Sequence, residues 1–209
     1  MYDLYTWTTP NGRKVSIMLE ELGVAYETHA IDITKDMQFD PAFLKISPNN
    51  KIPAITDSET GIALMESGAI LLYLAEKHGR FLGEGESRLR VIEWLMWQMG
   101  GLGPMAGQAH HFLKYNQGKA PYAEERYGNE TKRLYGVLNA RLETEAHVGG
   151  AEYSIADMAI WPWVSRFEWQ QIDLDAYPAV REWYLRLAER PAVQKGYQVP
   201  RDMGPIPMP

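Results

Sequence analysis

The chain has 209 residues, 45% of them hydrophobic and 23% charged, with a formal net charge of −6. That length can bury a sizeable core and allows one or two domains, and the negative balance argues against a nucleic-acid surface while leaving room for a local basic pocket. There are no cysteines, which excludes a disulfide framework, a Cys-x-x-Cys redox site and a protein thiolate nucleophile, so any thiol chemistry must use a thiol carried by a ligand.

The first eighty residues alternate strand and helix patterns. Tyr2 to Trp7 reads as a strand and Arg13 to Leu22 as a helix, with Val15, Met18, Leu19 and Leu22 on one apolar stripe and Gly23 as its stop. Between them lies the polar turn Thr8-Thr9-Pro10-Asn11-Gly12. It puts Thr9 and Asn11 at a helix N-terminus, where backbone N–H groups can hold an anion. Taken alone, ordinary turn chemistry with Thr9 as a helix cap is the simpler reading. Tyr26 to Ile33 follows as a second strand, and Asp40 caps a short helix over Pro41 to Lys45. The stretch Ser47-Pro48-Asn49-Asn50-Lys51-Ile52-Pro53 is irregular and leads into a strand. A cis Ile52–Pro53 bond fits that tight setting, and so does a plain strand-start proline. Ala54–Asp57 and Ile62–Met65 form a hairpin around Glu59-Thr60-Gly61, and a helix over Ser67 to Lys77 closes the pattern.

Gly79 to Gly85 reads as a linker, after which strands cease. Leu89 to Met99 is helical and rich in Trp and Met, and Gly100-Gly101-Leu102-Gly103-Pro104 kinks or interrupts it. Ala123 to Glu145 is a long helix with Tyr127, Leu134, Leu138 and Leu142 on one face. Ser154 and Asp157 have the spacing of a capping box, opening a central buried helix whose body is Met158 to Trp169, kinked at Pro162. Pro178 opens a further helix to about Glu189. Pro200 to Pro209 holds four prolines and is expected to be mobile or laid over the surface. His110 and His111 point in different directions on a helix, a poor metal pair; one packed and one exposed is expected, and no metal site. The start shows no signal peptide, and no apolar stretch reaches the length of a membrane span. A cytoplasmic protein that binds neither nucleic acid nor membrane is expected.

Four motifs complete this order: Thr9-Pro10-Asn11-Gly12, Ser47 to Pro53, Glu66-Ser67-Gly68-Ala69-Ile70, and Trp97-Gln98-Met99-Gly100-Gly101-Leu102-Gly103-Pro104. Over essentially its whole length the chain resembles the glutathione transferase superfamily, and within it the Nu class of bacterial enzymes with disulfide-bond oxidoreductase activity. The resemblance implies an α/β thioredoxin-like N-terminal domain (βαβαββα) over residues 1–80, an all-α C-terminal domain over 87–199 and a Pro-rich tail over 200–209. It implies glutathione as co-substrate, no metal, small disulfide substrates and a homodimer.

It also implies site roles. Ile52, before a cis Pro53, offers its backbone N–H and C=O to the cysteinyl part of glutathione as an added strand. Ser67 donates to the γ-glutamyl carboxylate and Glu66 takes the ammonium. Gln38 lies near the glycine end, Lys51 belongs to the same glutathione-binding set, and Arg126 of the partner subunit reaches a carboxylate, for which a planar fork is suited. Many members hold the thiolate with Tyr, Ser or Cys. Here Tyr5 lies inside the first strand and reads as a packing residue, so Thr9 and Asn11 are the catalytic candidates. Both donate hydrogen bonds without ionising near neutral pH, and so can stabilise a ligand thiolate. With no protein thiol, disulfide reduction needs two glutathiones, one attacking and one resolving. Conjugation of glutathione to electrophiles and a binding scaffold with little catalysis are the alternatives.

Overall fold

β1 (Tyr2–Thr6) is the axis on which the first part of the chain is built. In the computed structural model, which describes residues 1–209, Tyr2, Leu4 and Thr6 are buried while Asp3 and Tyr5 are half-buried, the period-2 signature of a strand with two differently covered faces. α1 (Pro10–Leu22) connects it to β2 (Tyr26–Ala30), which pairs parallel with β1. After the short α2 (Pro41–Leu44), β3 (Ala54–Asp57) pairs antiparallel with β1, and β4 (Ile62–Met65) antiparallel with β3. α3 (Ser67–His78) completes the thioredoxin-like βαβαββα order, with strands arranged β2-β1-β3-β4.

The start of α1 and the end of β2 differ from expectation, each because a side chain caps a helix. α1 begins at Pro10 and not at Arg13: Thr9 is extended (φ −111°, ψ 161°) and its hydroxyl oxygen accepts the Gly12 N–H at 3.2 Å. Pro10 then occupies the first turn, where its missing N–H costs nothing, and Asn11 and Gly12 belong to the helix. A Cβ on Gly12 would overlap the Trp7 carbonyl oxygen and Thr6 Oγ1, so only glycine lets the helix start so close to the strand. β2 stops at Ala30 because Asp32 accepts the Thr34 N–H at 3.0 Å and turns the chain into a 3-10 helix over Ile33–Lys35.

The chain divides into two compact units, Met1–Arg80 with Glu189–Ile206, and Phe81–Ala188 with Pro207–Pro209. The second is helical. α4 (Gly85–Trp97) runs through a π-helical turn over Gln98–Leu102 into α5 (Gly103–Ala109), and a second π-helical segment spans His110–Tyr115. The glycine cluster thus widens the helix without breaking it, and Pro104, which has no N–H to give to the preceding turn, follows directly on the widened stretch. α6 (Pro121–Leu142) and α7 (Ile155–Val164) follow. Every residue of α7 is buried, including Pro162. The expected capping box is present: Asp157 accepts the Ser154 N–H at 3.0 Å, and also the Val148 N–H and Trp183 Nε1–H, both at 2.9 Å. α7 ends at Val164, earlier than the expected Trp169, where Ser165 Oγ closes the last turn on the Pro162 carbonyl at 2.7 Å. Phe167–Gln170 forms a separate 3-10 turn, and α8 (Pro178–Ala188) completes this unit.

α9 (Pro191–Tyr197) returns to the first unit and packs on α1. The helical unit therefore ends at Ala188, short of the expected 199, and most of the tail joins the first unit. The cause is a close approach of backbones: a Cβ on Gly196 would lie 2.7 Å from Ile17 N and Cα, Ser16 Oγ donates to the Gly196 carbonyl at 2.7 Å, and Arg13 Nε donates to the Tyr197 carbonyl at 3.0 Å. Arg190 and Glu21 add an ion pair at 2.6 Å. Beyond a cis Val199–Pro200 bond, Gln198 accepts the Met203 N–H and donates to the Gly204 carbonyl, and the Arg201 guanidinium lies 4.5 Å from the Trp7 ring centre. No helix is long and apolar enough to cross a membrane.

Candidate active site

The sheet register gathers most of the expected site residues at one edge. Tyr5 pairs with Ala54, and Ala54 with Met65, so the end of β1, the start of β3 and the end of β4 lie side by side. Thr6 pairs with Ala30, so β2 ends there as well. The segments bearing Thr9 and Asn11, Gln38, Ile52 and Pro53, and Glu66 and Ser67 all leave the sheet at that edge. It is the carboxyl end of the parallel pair, where open α/β sheets bind ligands.

Thr9 is half-buried at the head of α1. Its oxygen accepts from Gly12, which uses a lone pair and leaves the hydroxyl proton to be donated away from the helix. Asn11 stands in the first turn beside it. Tyr5 is a packing residue as expected, stacked on His29 with centroids 4.7 Å apart. Gln38 sits in a 3-10 turn (Met37–Phe39); its Nε2 lies 3.5 Å from Asp36 Oδ1, and its Oε1 is buried with no hydrogen-bond partner. Lys51 is exposed, and its carbonyl accepts from Ser47 Oγ at 2.8 Å, which pins the turn before the cis Ile52–Pro53 bond. The Ile52 side chain packs on the cluster of Ile31, Phe43 and Ala54.

Glu66 has φ +69° and ψ 112°, a conformation that costs a non-glycine residue about 1–3 kcal/mol and gathers at functional sites. Its carbonyl accepts the Ile70 N–H in the first turn of α3, and its carboxylate lies 3.5 Å from Asn49 Nδ2. Ser67 is the buried first residue of α3. Its Oγ accepts from Lys14 Nζ at 3.3 Å. Lys14 is buried in α1, and that burial lowers its pKa to about 7 against the pull of the Glu66 carboxylate.

Sequence reasoning missed Lys14 and Asn49. Lys14 had a signal: it stands four residues before Met18, on the apolar stripe of α1, where a lysine is out of place. Asn49 had none beyond its place in an irregular loop. Arg126 is carried by the other unit, on α6, where it lines a cavity of about 650 Å³ with Met105, Tyr122, Tyr127, Glu130 and Arg133. His110 is buried and His111 exposed, as the helix geometry implied. Asp3, Glu27 and His29 bring ligand atoms within 4.8 Å of one another on the sheet, where His29 Nε2 and Asp3 Oδ1 are already paired at 3.0 Å and Thr56 donates to Asp3 Oδ2.

Comparison with known proteins agrees with this fold. The model of the glutathione S-transferase N-terminal domain matches residues 4–88, and that of the C-terminal domain residues 102–191. The chain is 54% identical over 198 residues, 92% of each sequence, to the disulfide-bond oxidoreductase YfcG of Escherichia coli K12. A glutathione transferase from Pseudomonas putida, solved with one glutathione disulfide bound per subunit, matches with a TM-score of 0.90 and 44% identity over 95% of this chain and 91% of its own. One from Burkholderia graminis, with two glutathione molecules per subunit, matches at 0.88 and 42% identity over 97% and 89%.

Proposed function

The chain belongs to the glutathione S-transferase family, and from that premise we propose that it is a glutathione-dependent disulfide-bond reductase working with two bound glutathiones, or their disulfide, and no protein cysteine. The observation that carries this reading is the chemistry of the turn after β1. It offers a hydroxyl whose oxygen is committed to Gly12, an amide, and no thiol. Such a turn can steer a sulfur brought by a ligand and cannot itself be oxidised.

In this reading Ser67 and the N-terminus of α3 hold the γ-glutamyl carboxylate, and Glu66 takes the ammonium. Ile52 pairs with the cysteinyl backbone, and Gln38 and Lys51 serve the glycine end. Thr9 and Asn11 donate to the sulfur and favour the thiolate. That thiolate attacks one sulfur of the substrate disulfide; its electron pair makes the new S–S bond while the old one breaks, and the departing thiolate takes up a proton. A second glutathione thiolate attacks the glutathione sulfur of the mixed disulfide and expels the other substrate thiolate. Two glutathione thiols and one disulfide become two substrate thiols and one glutathione disulfide, with no metal taking part. The active form in this reading is a homodimer in which Arg126 of the partner subunit supplies a further carboxylate contact, and it works in the cytoplasm, where glutathione is kept reduced.

The test is turnover of a small model disulfide by glutathione in the wild type and in Thr9→Ala and Asn11→Ala variants. Both variants are expected to lose most of the rate, and unchanged rates in both overturn the assigned roles. Activity on a chlorinated aromatic with none on the disulfide would reassign the protein to conjugation. Binding of glutathione disulfide with no turnover of either would make it a scaffold.

A further inference from the structure

We propose that Arg201 is a specificity-determining residue for the disulfide substrate: seated on the Trp7 ring beside the turn that carries Thr9 and Asn11, its guanidinium binds a carboxylate of that substrate, so that anionic disulfides are the preferred class. The proposal rests on the functional reading above and deepens it by naming the substrate class.

Trp7 belongs to the turn as well as to the end of β1. Its carbonyl oxygen accepts the Thr9 N–H at 2.7 Å, and the same oxygen is what a Cβ on Gly12 would strike. The residue that holds the Thr9 backbone in place therefore also offers an indole, 8% exposed, as a seat next to the proposed sulfur site. The Arg201 guanidinium lies 4.5 Å from the centre of that ring. An arginine over an indole face is attracted by the ring quadrupole, and it gives up rotamer freedom before a ligand arrives.

The tail that delivers Arg201 is fixed by its own hydrogen bonds. Gln198 Oε1 accepts the Met203 N–H at 3.2 Å, Gln198 Nε2 donates to the Gly204 carbonyl at 3.0 Å, and Asp202 Oδ1 accepts the Gly204 N–H at 2.8 Å. The last bond turns the neighbouring carboxylate toward the backbone. Arg201 is exposed, and its guanidinium takes part in no ion pair or hydrogen bond of the chain. A guanidinium carries five N–H donors in a fork that matches a carboxylate, and it stays charged at any working pH. In the functional reading the carboxylates of the first glutathione already have partners, Ser67 at one end and Gln38 and Lys51 at the other. Arg201 is left for the disulfide that meets the sulfur.

The experiment compares three small disulfides of similar length, each reduced by glutathione: the dianion dithiodipropionate, the neutral bis-hydroxyethyl disulfide and the dication cystamine. The ratio of variant to wild type is read for each substrate, which cancels their different intrinsic reactivities. In Arg201→Gln, kcat/KM for the dianion is expected to fall about tenfold, carried by KM, while that for the neutral disulfide stays within about twofold and that for the dication does not fall. Arg201→Lys, which keeps the charge and loses the fork, should lie between wild type and Arg201→Gln. Lys195→Gln removes the same charge from an exposed position on α9 and should change none of the three ratios. In the wild type, added salt should slow turnover of the dianion more than that of the neutral disulfide, and this difference should vanish in Arg201→Gln. No hydrogen bond of the tail uses the Arg201 side chain, so these variants keep the fold. Equal losses on all three substrates, no loss on the dianion, the same losses in Lys195→Gln, or a rise in the KM for glutathione with the neutral disulfide each overturn the proposal. A wild type that reduces none of the three overturns the functional reading and this proposal with it. A wild type that reduces the neutral disulfide, with Arg201→Gln matching it on the dianion, overturns this proposal alone.

Discussion

The Thr9 hydroxyl oxygen accepts the Gly12 N–H at 3.2 Å, and that bond decides what Thr9 can still do. It caps α1 through a lone pair, and in the proposed function its proton goes to the glutathione sulfur. Thr9→Val keeps the shape and removes both functions. It should cost about 1 kcal/mol of stability through the lost cap, and at least about tenfold in kcat/KM for disulfide reduction. Thr9→Ser should restore both. Denaturant unfolding and steady-state kinetics with one model disulfide check the pair.

Asn11 supplies an amide at the same turn, so the sign of the group placed there matters. In the proposed function Asn11→Asp puts a carboxylate beside the glutathione thiolate, and like charges a few ångströms apart disfavour ionisation. The pKa of bound glutathione, followed by thiolate absorbance, should rise in Asn11→Asp by more than in Asn11→Ala. The reductase rate at neutral pH should fall in the same order.

His110 predicts a pH dependence of stability. Burial, aided by the Arg166 charge, lowers its pKa to about 4. Its Nε2 lies 3.2 Å from Gln170 Nε2, and Gln170 Oε1 is occupied by Tyr135 Oη–H at 2.7 Å, so the amide can only donate to the imidazole. Neutral His110 fits that network and protonated His110 does not. The unfolded chain takes up this proton near pH 6.5 and the folded one near 4, so the associated stability is complete above the first value and lost as pH falls toward the second. The loss approaches about 1.4 kcal/mol per pH unit in that window. Urea unfolding from pH 7 to pH 4.5 should show this slope in the wild type and a flatter one in His110→Gln.

Asp157 holds three backbone or indole N–H groups at the head of α7, those of Val148, Ser154 and Trp183. Asp157→Ala leaves all three buried without that acceptor. Each such orphan costs about 1–3 kcal/mol, so the variant should lose at least about 3 kcal/mol. Asp157→Asn keeps one acceptor oxygen and should lose less. The midpoint of denaturant unfolding is the readout.

Much of this was legible in the sequence because the signals were local. The stripe of Val15, Met18 and Leu19, the hairpin around Gly61 and the Ser154/Asp157 spacing each need only a few neighbouring residues, and the structure bears them out. The cis state of Ile52–Pro53, left open by the local residues, also fits the resemblance. What escaped depended on distant partners. The return of α9 rests on Gly196 meeting Ile17, which no window of the sequence displays. Lys14 went unremarked because Ser67, which receives its hydrogen bond, lies 53 residues away. The π-helical turn over Gln98–Leu102 escaped for another reason: glycines that can break a helix can equally let it widen.

The return of Glu189–Ile206 to the first unit also bears on how the molecule is made. On the ribosome, Met1–Arg80 emerges first yet lacks the surface that covers Ile17 until Gly196 has been added. The helical unit is nearly contiguous and can close as soon as Ala188 is out, so the unit synthesised first is the one completed last. A message broken after Arg80 would yield a fragment with the α9-binding face of α1 open to water, a target for chaperones and proteases and not a small working domain.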